Sequence, residues 1–383
     1  MPKNNLKIGL VFDDSLDRND GVQQYVKLLG SWLGQNGHDV KYLVGQTTKA
    51  PHSIQADVIS LSKNIGVSAN KNKLTIPLPA GSKKIRQTLK QENFDILHVQ
   101  IPYSPFMSGK IIKNANLSTG IIGTFHIVGS TFFEKYGSWM LSVSQLKTLK
   151  KFDRFLAVST AAEEFASSYY HTKIDQIVPN MVNVDKFKGA RVAKKSDKFN
   201  ITFLGRLVER KGCKYLLDAI SELPDQVKEK INVVVCGDGP QRESLTSQAE
   251  HLGIGKIVEF KGYIEEDEKP NILATADLAV FPSYEGESFG IVLIEAMASG
   301  KCVVLGGDNV GYRTVMAQKS KELIVDVFDK REFARRISSL VEDEPLREKL
   351  VSWQNARVKD FDVDYVGPII LENYYQILNL KHS

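Results

Sequence analysis

A chain of 383 residues, 42% hydrophobic and 25% charged, is long enough for two domains and has the balance of an ordinary globular protein rather than a disordered or fibrous one. Its three cysteines, Cys213, Cys236 and Cys302, are odd in number and far apart, which argues against a disulfide framework or a thiolate metal site and for buried reduced thiols. The net charge of +5 is uneven: residues 1–190 carry 23 Lys+Arg against 14 Asp+Glu, and the remainder 27 against 31, so an anionic partner is expected on the first half.

The opening residues read as a short polar lead into a strand rather than a secretory signal. No run approaches the ~18 apolar residues of a bilayer span. A cytoplasmic location, peripheral on the cytosolic face of the membrane, is therefore expected. Short apolar runs follow at 7–12 (KIGLVF), 40–44, 95–99 (DILHV), 121–125 and 155–159. They are continuous rather than alternating and rich in Val, Ile and Leu, as parallel strands covered on both faces require. A helix is expected over 21–35. Within DILHV, His98 is internal to a strand and reads as a packed core histidine.

Residues 58–91 contain seven basic residues and no acidic one. Lys83, Lys84, Arg86 and Lys90 accompany Ile85 and Leu89, one turn apart, which predicts a helix with an apolar seam and a cationic flank. Such a helix suits an anionic lipid surface, each nearby cation contributing about 1 kcal/mol. The competing reading is a solvated helix docked on its own domain through Ile85 and Leu89.

The polar stretch 188–199 (KGARVAKKSDKF) lacks periodic apolar spacing and reads as a linker. The strand rhythm then resumes at 201–204, 232–236, 257–260, 278–282 and 302–305, with a helix over 214–221. Two doubly wound α/β domains are expected, 1–190 and 199–364, with a closing helix over 365–383. In open parallel sheets ligands bind beyond the carboxyl ends of the strands, so the strand-to-helix turns matter most.

Two turns in the second half carry chemistry. In GRLVERKG, residues 205–212, Gly205 follows a strand, and Arg206 and Lys211 stand five apart. A guanidinium fork and a compact ammonium suit a departing diphosphate, whose growing charge they would neutralise. In FPSYEGESFGIVLIEAMASG, residues 281–300, a buried strand ends at Pro282 and glycines 286 and 290 let a ligand approach the backbone. The N–H groups of residues 288–292 would open a helix toward phosphate. Glu287 and Glu295, eight residues and about two helical turns apart, could share one ligand-facing side. Glu287 would accept from sugar hydroxyls and Glu295 from ribose hydroxyls.

GRLVERKG, VVVCGDGP and ESFGIVLIEAMASG, in this order and spacing, resemble the retaining GT-B glycosyltransferases of family 4 over nearly the whole chain. ESFGIVLIEAM with GVQQYV is most similar to the phosphatidylinositol mannosyltransferase branch. The resemblance implies two Rossmann-like domains facing across a cleft, a GDP- or UDP-hexose donor, and retention at the anomeric carbon. It implies catalytic roles for His126, Arg206, Lys211 and Glu287. It implies donor contacts from Gly21, Gly205, Ile264, Glu266, Lys269, Ser288, Phe289, Gly290, Ile291 and Glu295, with Ile264, Glu266 and Lys269 at the base. Gln23 matches an acceptor-facing position. Asp20 replaces the first of a usual glycine pair, which leaves Gly21 as the phosphate contact. The final helix is expected to cross back onto the first domain.

The expected reaction is transfer of a hexose, with mannose favoured, to a glycolipid, phospholipid or saccharide acceptor, with an anionic membrane surface as a further partner. No nucleophilic carboxylate stands out, although Asp13, Asp14 and Asp20 lie near the first strand. A same-face mechanism, with the leaving phosphate accepting the acceptor proton, is preferred. No metal-ligand cluster is evident, so no obligatory metal is expected, though Mg could assist. A nucleotide-sugar epimerase and a non-catalytic nucleotide-sugar binder are the alternatives on the same fold. Nucleic-acid binding ranks last, because no helix-turn-helix, zinc or RNA-recognition signature is present.

Overall fold

Continuous apolar runs need cover on both faces, and the computed structural model meets that need twice. It describes residues 5–17, 20–50, 52–55, 57–69, 72–77, 81–126, 147–190 and 197–382. The chain divides into one unit of Met1–Met181 with Val363–Ser383 and a second of Val182–Asp362. The division falls upstream of the 188–199 stretch, of which 191–196 lie outside the described residues.

The first unit contains β1 (Lys7–Phe12), β2 (Asp39–Gly45), β3 (Val58–Ser62), β4 (Asn64–Ala69), β5 (Asn72–Pro77), β6 (Ile96–Val99), β7 (Gly120–Phe125), β8 (Arg154–Ala157) and β9 (Gln176–Ile177). Seven of these form a parallel sheet in the order β3-β2-β1-β6-β7-β8-β9. β4 and β5 pair separately as an antiparallel hairpin. Helices α1 (Gly21–Gln35), α2 (His52–Gln55), α3 (Ser82–Glu92) and α4 (Met107–Asn114) belong to this unit.

The two faces of the sheet are covered by different helices. Leu29 and Trp32 of α1 pack with Ile8, Leu10, Ile96 and Ile122, joined by Val366, Ile370 and Tyr374 of the C-terminal helix Val363–His382. On the other face Ile85 and Leu89 of α3 and Ile111 and Ile112 of α4 pack with Val11, Leu43, Leu97 and Val99. The C-terminal helix is also held by polar contacts. Trp32 Nε1 donates to Asp364 Oδ1 at 2.8 Å, and Tyr374 Oη lies 2.7 Å from His98 Nδ1. His98 reaches Thr124 Oγ1 through its other nitrogen at 2.7 Å, so this core histidine is satisfied on both sides.

The second unit holds β10 (Phe199–Leu204), β11 (Ile231–Cys236), β12 (Val258–Gly262), β13 (Leu278–Phe281), β14 (Val303–Gly307) and β15 (Ile324–Val325). All pair in parallel in the order β12-β11-β10-β13-β14-β15. Each sheet reverses its strand order once, between β1 and β6 and between β10 and β13. Those reversals leave a crevice at the carboxyl ends of the central strands, the usual ligand position in such sheets. All three cysteines are buried and free. Among the described residues no helix is long and apolar enough to cross a membrane.

Candidate functional site

The switch point of the second sheet brings two loops together. After β10 the chain passes Gly205 and the exposed Arg206, then makes one tight turn, Glu209–Lys211, ending at Gly212. Gly212 has φ +70°, and a Cβ there would sit 2.1 Å from the carbonyl oxygen of Pro282. Only glycine therefore lets the loop after β10 close onto the loop after β13. The contact is reinforced where the Tyr284 N–H donates to the Arg210 carbonyl at 3.3 Å, with Ser283 Oγ 3.2 Å from the same oxygen.

This closure concentrates charge on Glu287. Its Oε1 accepts from Lys211 Nζ at 2.6 Å, Ser283 Oγ at 2.9 Å and Arg210 Nη1 at 3.0 Å. Burial pushes the Glu287 carboxyl up, but the Lys211 and Arg210 charges outweigh it and hold the group below its ordinary value. Glu287 is thus an ionised, acceptor-only group at neutral pH, suited to hydroxyl donors of a sugar. Arg206 pairs with no carboxylate among the described residues and stays open to solvent, so it is free to meet an anion.

Helix formation starts later than the sequence suggests. The helix is Ile291–Ala298, capped by Gly290 at φ +109°, where a Cβ would meet the Tyr312 ring at 2.6 Å. Ser288 and the buried Phe289 precede it. Glu287 therefore lies in the loop and not on the helix, and the expected shared helical side for Glu287 and Glu295 does not form. The left-handed backbone at Gly290 interrupts the helical path between them.

Glu295 instead belongs to a second ionic group. It is buried on the helix, and its Oε1 lies 3.3 Å from Lys269 Nζ. Lys269, at the start of the helix Lys269–Thr275, also meets Glu266 Oε2 at 2.8 Å. Burial lowers the Lys269 pKa, but Glu295 and Glu266 more than reverse that and keep the ammonium charged. Burial pushes the Glu295 carboxyl up, with Lys269 opposing. Ile264, half-buried, is on the same connection after β12.

In the first unit Gly21 opens α1 and is exposed, while Gln23 is buried and donates to Asp14 Oδ2 at 3.4 Å. Asp20 has extended backbone, φ −74°, so glycine is not required there for conformation. Asp13 is buried, and its carboxylate accepts from Ser104 Oγ, from Ser108 N at 2.8 Å and from Ser108 Oγ at 2.6 Å. His126, just beyond β7, is buried, and burial pushes its imidazole down to about 3. It is uncharged at neutral pH.

The basic helix α3 forms as expected, with Lys83, Lys84, Arg86 and Lys90 exposed. Its apolar seam is not exposed: Ile85 and Leu89 are consumed by the unit's own core, and Lys84 Nζ donates to the Ser60 carbonyl at 2.7 Å. Only the cationic flank is left to face a partner. Arg210 and Ser283 are site residues that sequence reading missed. Their signal was weak, since one further cation in a basic loop and one serine after a strand do not announce a shared partner.

Comparison with known proteins gives the family. The profile described as "Glycosyltransferase Family 4" matches residues 19–186, and "Glycosyl transferases group 1" matches residues 185–357. The chain is 30% identical over 377 residues to the phosphatidyl-myo-inositol mannosyltransferase of Mycolicibacterium smegmatis, covering 96% of this chain and 93% of that one. It is 26% identical over 341 residues to the GDP-mannose-dependent alpha-(1-6)-phosphatidylinositol monomannoside mannosyltransferase of Mycobacterium tuberculosis, covering 84% and 85%. The crystal structure of a glycosyltransferase from Rickettsia africae superposes with a TM-score of 0.76 at 19% identity, covering 98% of this chain and 99% of that one.

Proposed function

The chain belongs to glycosyltransferase family 4 and uses a nucleotide sugar, and we propose that it transfers mannose, with retention at the anomeric carbon, to a lipid acceptor. The observation that carries this reading is the convergence of Lys211, Arg210 and Ser283 on the ionised Glu287 at the switch point of the second sheet. Mannose and an inositol phospholipid are supported by what the two mycobacterial relatives are named for.

In this reading Arg206, Arg210 and Lys211 take the donor diphosphate, and Gly205 and residues 288–291 offer backbone N–H groups to it. Glu287 accepts hydrogen bonds from the sugar being moved. Glu295 and Glu266, with Lys269 between them, hold the nucleoside, with Ile264 against the base. Gly21 meets the diphosphate, Gln23 serves the acceptor, and the neutral His126 serves the transferred sugar.

The bond from the anomeric carbon to the diphosphate oxygen breaks as the acceptor oxygen bonds to that carbon on the same face. The acceptor proton passes to the departing phosphate oxygen. Cations beside that oxygen stabilise the charge it gains. A double displacement would need an accessible carboxylate; Asp13 is buried and tied to Ser104 and Ser108, and a covalent sugar trapped on Asp13, Asp14 or Asp20 would refute the same-face step. The exposed cations of α3 add electrostatic attraction to anionic lipid, without insertion of Ile85 or Leu89.

Thermal stabilisation by GDP, UDP and ADP identifies the base, since a ligand at a hundredfold excess over its dissociation constant stabilises by about 2.7 kcal/mol. Radiolabelled GDP-mannose with vesicles containing phosphatidylinositol then tests the transfer. Label extracted with the lipid supports the proposal. Transfer only from a UDP-sugar, or only to a water-soluble acceptor, overturns it.

A further inference from the structure

The loop that carries Glu287 leaves β13 at Phe281 and is seated on the turn between β14 and the helix Val310–Met316. A Cβ on Gly307 would stand 2.5 Å from the Ser283 carbonyl oxygen, and one on Gly311 would stand 2.5 Å from that of Glu287, so the two backbones touch at both places. The same turn supplies one side chain with two working ends. Asn309, half-buried, takes the Tyr312 N–H on its Oδ1 at 2.9 Å, which caps the helix. Its Nδ2 donates to the Ser283 carbonyl at 2.8 Å and to that of Gly307 at 3.3 Å. An N–H faces one end of the amide and two carbonyls face the other, which settles its orientation. Capping needs only an acceptor, and serine, threonine or aspartate would serve the helix. Among the preferred caps only asparagine accepts at one end and offers an amide donor at the other. The donor end is therefore explained by what it does for Ser283.

We propose that Asn309 is a positioning residue for sugar transfer: by tethering the Ser283 carbonyl while it caps the following helix, its amide holds Glu287 in register with Arg210 and Lys211. This rests on the assignment of Glu287 to the transferred sugar. Ser283 is buried, and its hydroxyl donates to Glu287 Oε1 at 2.9 Å. Holding its carbonyl therefore holds the hydroxyl in line with the carboxylate oxygen that Lys211 and Arg210 also reach. Both ends of the Asn309 amide are taken up by backbone, so the residue acts through Ser283 and not on the sugar itself. Glu266 and Lys269, assigned to the nucleoside, lie on the connection after β12 and are not part of this seat. Loosening the loop should thus disturb the reacting geometry more than donor binding.

The test compares four full-length proteins: unaltered, Asn309→Ser, Glu287→Gln and the double variant. Kinetics use GDP-mannose with phosphatidylinositol vesicles, and inorganic pyrophosphate probes the loop cations by thermal shift. Serine keeps the capping acceptor and lacks the amide donor. Asn309→Ser should melt within about 2 °C of the unaltered protein and lose about tenfold in kcat, while KM for the nucleotide sugar changes less than about threefold. Once Glu287 is replaced, the serine change should lower kcat by less than about twofold more, because residues that act through one contact are not additive. Pyrophosphate should raise the melting temperature of Asn309→Ser more than that of the unaltered protein, and the serine change should add nothing to the rise seen in Glu287→Gln. Asn309→Asp keeps the shape and the acceptor without the donor, and replaces the serine variant if that protein does not fold, with the same pattern expected. Full kcat with an unaltered pyrophosphate response in Asn309→Ser, or equal losses in both backgrounds, overturns the proposal. A Glu287→Gln protein with unaltered kcat overturns instead the role given to Glu287, and the pyrophosphate comparison still decides whether Asn309 holds it.

Discussion

Replacing Glu287 by Gln separates charge from shape at the ionic centre of the second unit. The carboxylate has 13% of its side chain exposed, against 19% for Lys211 and 33% for Arg210. Removing one member of a fully buried pair costs about 3–5 kcal/mol, and an exposed pair is worth under about 1. These cations can turn partly to water, so a loss of about 2 kcal/mol is expected. For a unit of about 180 residues that lowers the melting temperature by roughly 4–8 °C. The pH dependence provides a check. The folded carboxyl lies below its unfolded value of 4.5, so its contribution is full above pH 4.5 and is lost as pH falls through the folded value. The stabilities of the two proteins should therefore converge in acid. Activity should drop by about 10²–10³ in kcat, since an acceptor for the sugar has weakened and the cations are no longer held. Free pyrophosphate should raise the melting temperature of the variant more than that of the unaltered protein, because Arg210 and Lys211 have lost their internal anion. Equal stability at neutral pH together with an equal pyrophosphate response would refute the reasoning.

Lys269→Met leaves Glu295 buried beside Glu266 without the ammonium at 3.3 Å, a loss of about 3–5 kcal/mol at pH 8. The Glu295 carboxyl then rises further above its unfolded value, so the deficit should shrink between pH 8 and pH 5; denaturant unfolding at both values measures it. Changing Lys83, Lys84, Arg86 and Lys90 together to Gln should abolish sedimentation with anionic vesicles and leave the fold intact, since all four are exposed. Binding by the unaltered protein should fall steeply between 50 and 500 mM salt, because Ile85 and Leu89 cannot contribute insertion. Ile370→Ala should destabilise the first unit by about 2–5 kcal/mol in denaturant titration, as the side chain is fully buried where the C-terminal helix joins the sheet.

The local pattern of this sequence determined the central strands of both sheets, the parallel α/β class and the glycine-bearing turns, but not the short edge strands β3, β9 and β15. Burial on both faces imposes continuous apolar runs, and close backbone approach imposes glycine, so both leave marks within a few residues. Lys211 and Glu287 could be singled out because each stands in such a turn. Partnerships across the sequence left no local mark. Arg210 joins Glu287 because the Ser283 hydroxyl and the Tyr284 backbone N–H meet the carbonyl of its turn, and neither segment alone aims the guanidinium. The hairpin of β4 and β5 sits in a stretch whose charge drew the eye to α3. The apolar seam of α3 reads the same whether it meets lipid or protein, and only packing against β1, β2 and β6 decided that it faces inward. His98 and Tyr374 are 276 residues apart, and Gln100 and His126 are 26 apart on separate strands. Spacing sets the period of an element and the face it buries. What that face meets depends on which distant segment the folded chain brings to it.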